Sequence, residues 1–278
     1  MAGFTDYDAI INALTVSLYG QRLDFLKTAS FTTAAPSWWT TWNTAGLPAQ
    51  GTYSGTTANA QQVTSATTGA ISYTNPTSPR KMWLLGGEAA VSNVVGTLYL
   101  WDRLLYYPGI NHNTSTTQAL TNGVTIPRYT SGDKVYAWLE VTSGLGATAQ
   151  TCTLTYTDQL GNTGNSTGAQ TIVASSAVSR LPHQFPYFPL AAGDTGIQKV
   201  DSYIFSAANT GTSALVLGKL LAAIPIGVAA VSNALDLVRG PQLTIPQLQD
   251  NAALCLTFAA NTAASSPVFS GSFQICEQ

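Results

Sequence analysis

Residues 134–157 read KVYAWLEVTSGLGATAQTCTLTYT, and their apolar pattern returns 117 positions later in residues 251–275, which read NAALCLTFAANTAASSPVFSGSFQI. In each copy, two alternating stretches flank a loop of small residues. The matched residues are Ala137/Leu254, Leu139/Leu256, Val141/Phe258, Cys152/Phe269, Leu154/Gly271 and Tyr156/Phe273. Alternation with a period of two is typical of a strand with one buried face. The repeat therefore predicts two related β units, and in each copy an antiparallel strand pair with these residues facing inward.

The match continues upstream, where residues 103–105 correspond to 219–221 and residues 125–127 to 244–246. Residues 158–164 supply the Gly and Asn residues of a hairpin connection. Short strands joined by Gly-rich turns are typical of sandwiches and jelly rolls. We therefore predict a mainly β chain with two antiparallel β-sandwich or jelly-roll-like units. Its main strands are predicted at residues 97–107, 134–141, 151–157, 199–206, 213–223, 252–259 and 268–276.

The N-terminal part of the chain has a different pattern. Thr5 and Asp8 resemble a capping signal, and Ile10 and Leu14 recur at helical spacing, followed by Leu18. Gly20 interrupts this pattern before the next leucines. Residues 30 to about 78 are rich in Thr, Ser, Ala, Gly and Pro, which indicates an extended arm. The predicted organisation is a helix and arm at 1–78, a first β unit at 79–175 and a second at 176–278.

The arm contains three tryptophans in five residues, at Trp38, Trp39 and Trp42. These side chains are too apolar for a free linker, so we expect burial against a neighbouring subunit or against the protein's own sheet. Together with Tyr106 and Tyr107 they are our candidate interface anchors.

Composition restricts the classes of partner. Charged residues make up 9% of the chain and the formal net charge is −2, so the surface is expected to be neutral and polar. This composition favours a subunit of a large assembly, since charges kept out of an interface need no desolvation. The 11 Lys and Arg residues form no basic stripe, which argues against nucleic acid. The apolar stretch 214–232 is interrupted by Lys219 and Pro225, which favours a buried strand over a membrane span.

The first 20 residues and the cysteine usage favour synthesis in a reducing cytoplasm. Residues 1–20 lack the basic and apolar regions of a secretory signal. The chain has an odd number of cysteines, three, and at least Cys152 and Cys255 lie in alternating apolar stretches as small hydrophobes.

Residues that could perform catalysis are few and scattered. His112 and His183 are the histidines, and no Gly-x-Ser-x-Gly elbow accompanies them. No metal-binding motif is present. Asp102, Glu140 and Asp201 are nominal partners for a glycosidase pair, because such pairs meet only in space. We predict no catalytic residue, no cofactor and no metal site, and hence no enzymatic activity.

The aromatic residues could also form a platform that binds carbohydrate. Aromatic faces stack on sugar rings, but Tyr and Trp are equally typical of cores and subunit interfaces, which we favour here. The residues available for such a sugar platform are Trp101, Tyr106, Tyr107, Trp138, Tyr187 and Phe188.

Three stretches carry a resemblance to a known group of proteins. They are LAAGDTGIQKV at 190–200, LTYTDQLG at 154–161 and the apolar strand 214–221. With the helix, the arm and the two β repeats, they resemble a group of tailed-bacteriophage virion structural proteins over roughly residues 80–260. The resemblance implies a component of the particle, and it implies no catalytic residues.

On this basis we expect a capsid decoration or cement protein that stabilises the assembled head. Its expected partners are the major capsid protein and copies of itself, as a dimer or trimer, with neither nucleic acid nor membrane. It would lie on the capsid surface of the virion after assembly in the host bacterial cytoplasm. The alternatives are a tail or fibre module that binds host surface carbohydrate, and an enzyme that degrades polysaccharide.

Overall fold

The computed structural model of the chain describes residues 4, 6–33, 37–120, 124–174, 180, 184, 187–239 and 245–278. Within these residues there is one α-helix, α1 (Tyr7–Thr15), followed by β-structure. The strands are β1 (Gly20–Thr28), β2 (Thr32–Thr33), β3 (Ser37–Thr40), β4 (Ala45–Leu47), β5 (Gln61–Gln62), β6 (Met82–Val91), β7 (Gly96–Asn111), β8 (Gln118–Ala119), β9 (Val135–Ser143), β10 (Gln150–Asp158), β11 (Asn165–Ser166), β12 (Gln170–Val173), β13 (Ile197–Phe205), β14 (Thr212–Ile226), β15 (Asn233–Asp236), β16 (Gln247–Leu248), β17 (Leu254–Ala260), β18 (Ala264–Ser265) and β19 (Val268–Glu277). The mainly β fold class is confirmed, as are the seven main strands.

Helix α1 begins at a polar cap and rests on the sheet by one side. The Asp6 carboxylate accepts a hydrogen bond of 2.7 Å from the backbone N–H of Ala9, which satisfies a donor that the first turn leaves free. The cap is therefore Asp6, one residue after the predicted Thr5, which lies outside the described residues. Ile10 and Ala13 are buried and hold the helix against the strands beneath it.

The segment after α1 is a strand that the sequence patterns did not reveal. Leu18 has a φ of 55°, so the chain leaves the helical conformation before it, and β1 starts at Gly20. Along β1 the side chains of Leu23, Phe25 and Lys27 point inward, whereas their neighbours are exposed. This is the period of two that marks a strand.

Three antiparallel sheets form the body of the molecule. The central sheet has the strand order β3-β17-β7-β14-β9, with β5 paired to β7. Flanking sheet I has the order β15-β6-β19-β1-β4, with β16 paired to β6. Flanking sheet II has the order β11-β10-β13-β8, with β12 paired to β10. The pairing of β10 with β11 confirms the predicted hairpin at residues 158–164.

The two flanking sheets pack on different halves of the central sheet, so there are two sandwiches. Core I lies beneath flanking sheet I and core II beneath flanking sheet II. The long strands β7 and β14 take part in both. In β7 the core I residues are Leu98 and Leu100, and the core II residues are Leu104, Leu105, Tyr107 and Ile110. In β14 the core II residues are Leu215 and Leu217, and the core I residues are Leu221, Ala222, Ile224 and Ile226.

The structure confirms the buried faces that the repeat predicted, but the predicted pairing of the two strands within each copy was wrong. The matched residues of the first copy all lie in core II, and those of the second copy, apart from Gly271, lie in core I. The two strands of a copy do not pair with each other, because the loop between them crosses from the central sheet to a flanking sheet. Thus β9 pairs with β14, whereas β10 pairs with β13; β17 pairs with β7, whereas β19 pairs with β1 and β6.

Each of the two predicted sequence ranges, 79–175 and 176–278, contributes strands to both sandwiches. β6 belongs to the range 79–175 but pairs with β19 of the range 176–278. In the same way β10 pairs with β13 across these ranges. Strand pairing therefore joins the two predicted sequence ranges, and each packed core contains strands of both.

Candidate functional site

The outer face of the central sheet, opposite the two cores, carries an apolar cluster and a buried ion pair. Residues on β7, β9, β14 and β17 that point away from the cores form a third apolar cluster there. Part of residues 42–70 lies over this cluster and covers it. Its partly buried members are Trp38, Tyr53, Tyr99, Tyr136, Tyr187 and Leu220.

The arm tryptophans pack on the protein's own sheet. Trp39 is 0% exposed, lies in core I and stacks on Phe31 with ring centroids 4.6 Å apart. Trp42 is 1% exposed and belongs to the outer-face cluster. Trp38 points to the opposite side of β3 and is partly exposed. Of the two expected locations, the structure therefore places these tryptophans on the protein's own sheet.

The other two candidate anchors are buried as well. Tyr106 is 5% exposed and donates a hydrogen bond of 2.8 Å to the backbone carbonyl of Ser54. Tyr107 is 0% exposed and belongs to core II. Of the five candidate anchors, only Trp38 keeps accessible surface of any size, because the two cores enclose Trp39 and Tyr107 and the other two lie in the covered outer-face cluster.

A buried ion pair lies beneath the arm. Arg103 and Glu140 are both 0% exposed, and Nη1 of Arg103 is 3.0 and 2.8 Å from the two carboxylate oxygens of Glu140. Trp138 Nε1 and Tyr53 OH also donate to this carboxylate, at 2.9 and 2.7 Å. The Arg103 guanidinium lies over the Trp42 ring, 4.4 Å from its centroid. Burial acts to lower the pKa of Arg103, but the Glu140 carboxylate and other nearby groups outweigh it and leave that pKa raised.

A second ion pair fastens neighbouring loops to β7. Arg128 Nη2 and Nε are 2.6 and 3.0 Å from the two oxygens of the buried Asp102 carboxylate, in the bidentate geometry that Arg favours. The backbone N–H of Ala253 donates to the same carboxylate at 2.9 Å. Arg128 also donates to the backbone carbonyl of Val63 at 2.9 Å, so it ties the arm to this point.

The nominal glycosidase carboxylates are engaged elsewhere. Asp102 and Glu140 each bind an arginine in the interior. Asp201 forms an ion pair of 2.7 Å with Lys199 on flanking sheet II. The structure therefore does not bring these three carboxylates together as an acid and base pair around one accessible site.

His112 lies in a buried hydrogen-bonded chain. Its Nδ1 is 2.8 Å from Gln150 Oε1 and its Nε2 is 2.8 Å from Ser213 Oγ. Gln150 Nε2 donates to the backbone carbonyls of His112 and Ala207, so its Oε1 accepts from Nδ1–H, and Nε2 accepts from the serine hydroxyl. Ser213 and His112 are both 0% exposed, which closes this pair to a substrate. Burial lowers the pKa of His112 to about 4.

This shift predicts a loss of stability in acid. The folded-state pKa lies below the ordinary value of 6.5, so the unfolded chain takes up the proton first as the pH falls. Stability that is present above pH 6.5 is lost progressively toward pH 4. We expect His112 to contribute a loss of about 2 kcal/mol between pH 7 and pH 5. Urea unfolding at both pH values measures it. The His112→Gln variant should lack this part of the pH dependence, and an equal slope in both proteins would contradict the assignment.

The three cysteines are free thiols in the interior. Cys152, Cys255 and Cys276 are buried, and none forms a disulfide. Burial raises the pKa of Cys255 to about 12 and that of Cys276 to about 11, so both are held as thiols. Among the residues that the structure describes, no group of three or more His, Cys, Asp or Glu side chains is placed to hold a metal ion. No helix in the described ranges is long and apolar enough to cross a membrane.

Four aromatic side chains form a partly exposed aromatic surface, which we define as Trp38, Tyr99, Tyr136 and Tyr187. The ring centroids of Trp38 and Tyr99 are 4.8 Å apart, and those of Tyr136 and Tyr187 are 5.4 Å apart. Trp38 and Tyr187 join the two pairs at 6.1 Å. Burial and the nearby Tyr136 hydroxyl raise the pKa of Tyr187 well above its ordinary value.

This surface differs from the sugar platform suggested by the sequence. Tyr187 is the one member common to both. The other five residues of that platform are buried. Tyr99 and Tyr136 were missed, although each occupies an outward position in an alternating strand, which was the available signal.

Comparisons with known proteins add little to this description. No family model matches the chain, and no curated protein sequence matches it. Solved structures similar to it include that of infectious bursal disease virus Gt strain, at 7% identity and a TM-score of 0.19 over 97% of this chain and 87% of that one. The VP2 subviral particle of the same virus gives 7% identity and a TM-score of 0.19 over 96% and 85%. Because similarity at this level carries no argument about fold or function, both rest on the chain's own residues.

Proposed function

We propose that this chain is a non-enzymatic structural protein of a virion, and specifically a bacteriophage capsid decoration or cement protein that stabilises the assembled head. Its partners would be the major capsid protein and further copies of itself. Its place would be the capsid surface, reached after assembly in the bacterial cytoplasm.

The placement of charge is the observation that carries this proposal. The chain has only 11 basic and 13 acidic residues, and five of these side chains are buried. They are Lys27, Asp102, Arg103, Glu140 and Asp158. The surface is therefore even poorer in charge than the composition indicates, and Thr, Ser, Asn and Gln dominate it. Such a surface can be covered over a large area with little desolvation of charge.

The two fused sandwiches suit this role. Two cores that share strands give a stiff body, and a stiff body loses little conformational freedom when it binds. A protein that binds only the assembled capsid lowers the free energy of that state by its own binding free energy. The buried positions of Asp102 and Glu140 support the non-enzymatic part of the proposal, because neither can reach a substrate in this arrangement.

The proposal predicts salt-resistant binding to assembled capsids. The purified protein is expected to co-sediment with capsids that lack it and not with unassembled capsid protein. Raising NaCl from 0.05 to about 1 M shortens the Debye length to roughly 3 Å, yet the bound fraction should change less than about twofold. Analytical sedimentation measures both quantities. Mass spectrometry of purified virions should also detect this chain.

Two results would overturn the proposal. One is absence of the chain from purified virions. The other is binding that collapses at high salt, since that behaviour belongs to docking driven by charge.

A tail or fibre module that binds host carbohydrate is the second candidate, and the partly exposed aromatic surface favours it. Aromatic faces present a large apolar area at low entropic cost, so they suit stacking. If this candidate is correct, the wild type binds host surface polysaccharide, and Tyr136→Ala and Tyr187→Ala each weaken that binding. Leu160→Ala, on a side chain that is 78% exposed at a distant loop, is the matched control. Binding unaffected by either tyrosine variant would remove the surface from consideration.

A further inference from the structure

A groove of about 680 Å³ runs beside α1 on the outer side of flanking sheet I. Helix α1 forms one wall through Tyr7, Ile11 and Leu14. Strand β15 and the residues that follow it form the other wall. The volume lies within the range of about 300–1,000 Å³ that is typical of binding clefts. The groove is therefore large enough to receive several side chains of a partner.

The helical wall of this groove is apolar, accessible and fixed. Tyr7 and Ile11 are 56% and 54% exposed and lie one turn apart on the same face of α1. Ile10 and Ala13 pack in a buried cluster with Leu85 of β6, which holds the helix on the sheet. The apolar face thus stays open to water, as is characteristic of a contact surface.

Two acidic residues on neighbouring strands line the same groove. In the pairing of β15 with β6, Ala234 lies opposite Glu88 and Asp236 lies opposite Gly86. The two acids are therefore diagonal neighbours on one face of the sheet, about 7–8 Å apart along the backbone. Two carboxylates placed in this way repel each other, and a cation between them would relieve the repulsion.

The charge of Glu88 is only partly balanced within the chain. Its Oε1 accepts a hydrogen bond of 3.3 Å from the Ser272 hydroxyl and lies 3.7 Å from Nη2 of Arg22. Arg22 makes its closer contact with Asp24, at 2.7 Å, so one guanidinium serves two carboxylates. The Glu88 side chain is 48% exposed and remains available to a cation of a partner.

The charge of Asp236 is balanced even less. Its Oδ1 accepts hydrogen bonds of 2.9 Å from the backbone N–H groups of Val238 and Arg239, which hold the carboxylate in a turn. Among the described residues, its Oδ2 accepts no hydrogen bond, and neither Asp236 nor Arg239 belongs to an ion pair. The charged residues that line the groove are two acids and one arginine, so the lining carries a net negative charge.

We propose that this groove binds a basic amphipathic helix of a partner protein. The apolar side chains of that helix would pack on Tyr7 and Ile11, in the manner of a helix laid in a groove. A lysine or arginine at the edge of its apolar face would lie between Glu88 and Asp236. An acidic segment would instead meet carboxylates of its own sign, so the charge of the groove selects the basic partner. The site is separate from the neutral surface on which the cement proposal depends, and it adds a second partner to that function.

Two matched peptides test the requirement for a basic partner. One is a fluorescently labelled amphipathic peptide of leucine and lysine, and the other has glutamate in place of every lysine. We expect the wild type to bind the lysine peptide at least about tenfold more tightly, measured as the dissociation constant by fluorescence anisotropy. Raising NaCl from about 0.05 to about 0.5 M should weaken this binding severalfold, because salt screens exposed charges.

Variants of the groove locate the binding site. Glu88→Gln and Asp236→Asn keep the side-chain size, and each should weaken binding of the lysine peptide about threefold or more. Asp250→Asn removes the same charge at an exposed position outside the groove and should leave the dissociation constant unchanged. Ile11→Ser should also weaken binding, since it removes apolar area from the wall. Its control is Val16→Ser, on a side chain that is 75% exposed just beyond α1 and outside the groove.

Three results would overturn the inference. They are equal affinity for the two peptides, groove variants that bind the lysine peptide like the wild type, and an Asp250→Asn variant that loses as much affinity as they do. Urea unfolding of each variant shows that it is folded. Each of these results leaves the cement proposal standing if the wild type still co-sediments with capsids, and failure of that co-sedimentation would leave the peptide result unchanged.

Discussion

Replacing Glu140 with Gln is expected to lower the free energy of unfolding by about 3–5 kcal/mol, because it leaves the buried Arg103 without its counter-charge. Both side chains are 0% exposed, so water cannot take over the solvation of the guanidinium. The substitution keeps the size of the side chain and adds no cavity. Urea unfolding at pH 7 measures the difference.

The exposed pair of Arg22 and Asp24 gives the matched control. Its side chains are 61% and 58% exposed, and Asp24→Asn should cost less than about 1 kcal/mol. The double variant Arg103→Met with Glu140→Gln should be more stable than Glu140→Gln alone, since it removes the unpaired charge. A double variant less stable than the single one would show that the loss came from the hydrogen bonds of Glu140 rather than from its charge.

Replacing Trp39 with Ala is expected to cost about 3–5 kcal/mol of stability, which is the range for truncating a large buried aromatic side chain. Trp39 is 0% exposed, contributes to core I and stacks on Phe31. Its loss would also loosen β3, which forms the edge of the central sheet. Thermal and urea unfolding measure this effect.

Trp38 is the control for the same substitution, because it is the neighbouring tryptophan, points to the other side of β3 and is partly exposed. Trp38→Ala should cost clearly less than Trp39→Ala. The pair also separates folding from binding. If Trp39→Ala kept full stability and lost only capsid binding, Trp39 would be an interface anchor rather than a core residue.

Strand positions could be predicted from the sequence because alternation is local. The residues of β9 and β10 show it clearly, with Val135 and Cys152 starting two inward faces. Strand partners could not be predicted in this way. A loop of small residues between two strands is equally compatible with a hairpin and with a crossing to another sheet. Strand β1 was missed because its alternation, at Leu23 and Phe25, directly follows a helical pattern.

The candidate site was harder to predict than the fold. Glu140 occupies an outward position in β9, and such a position is normally solvated. It is buried because the arm, some 90 residues earlier, lies over that face, and Tyr53 of the arm donates to its carboxylate. The tryptophan cluster was recognised as buried, but the sequence left open whether the covering surface belonged to a neighbour. Adjacent residues of one strand face opposite sides, so Trp38 and Trp39 pack against two different surfaces.

The pairing of strands that lie far apart in the sequence also affects the order of events on the ribosome. Strands β1 and β6 are made early, yet their partner β19 (Val268–Glu277) follows every other described strand in the chain. At 5–20 residues per second, β6 waits on the order of ten seconds or more for that partner. Until then the apolar residues that will form core I stay open on the nascent chain, and the chain is vulnerable to aggregation throughout this interval. The ten residues of β19 thus complete the sandwich whose strands β1 and β6 were made much earlier.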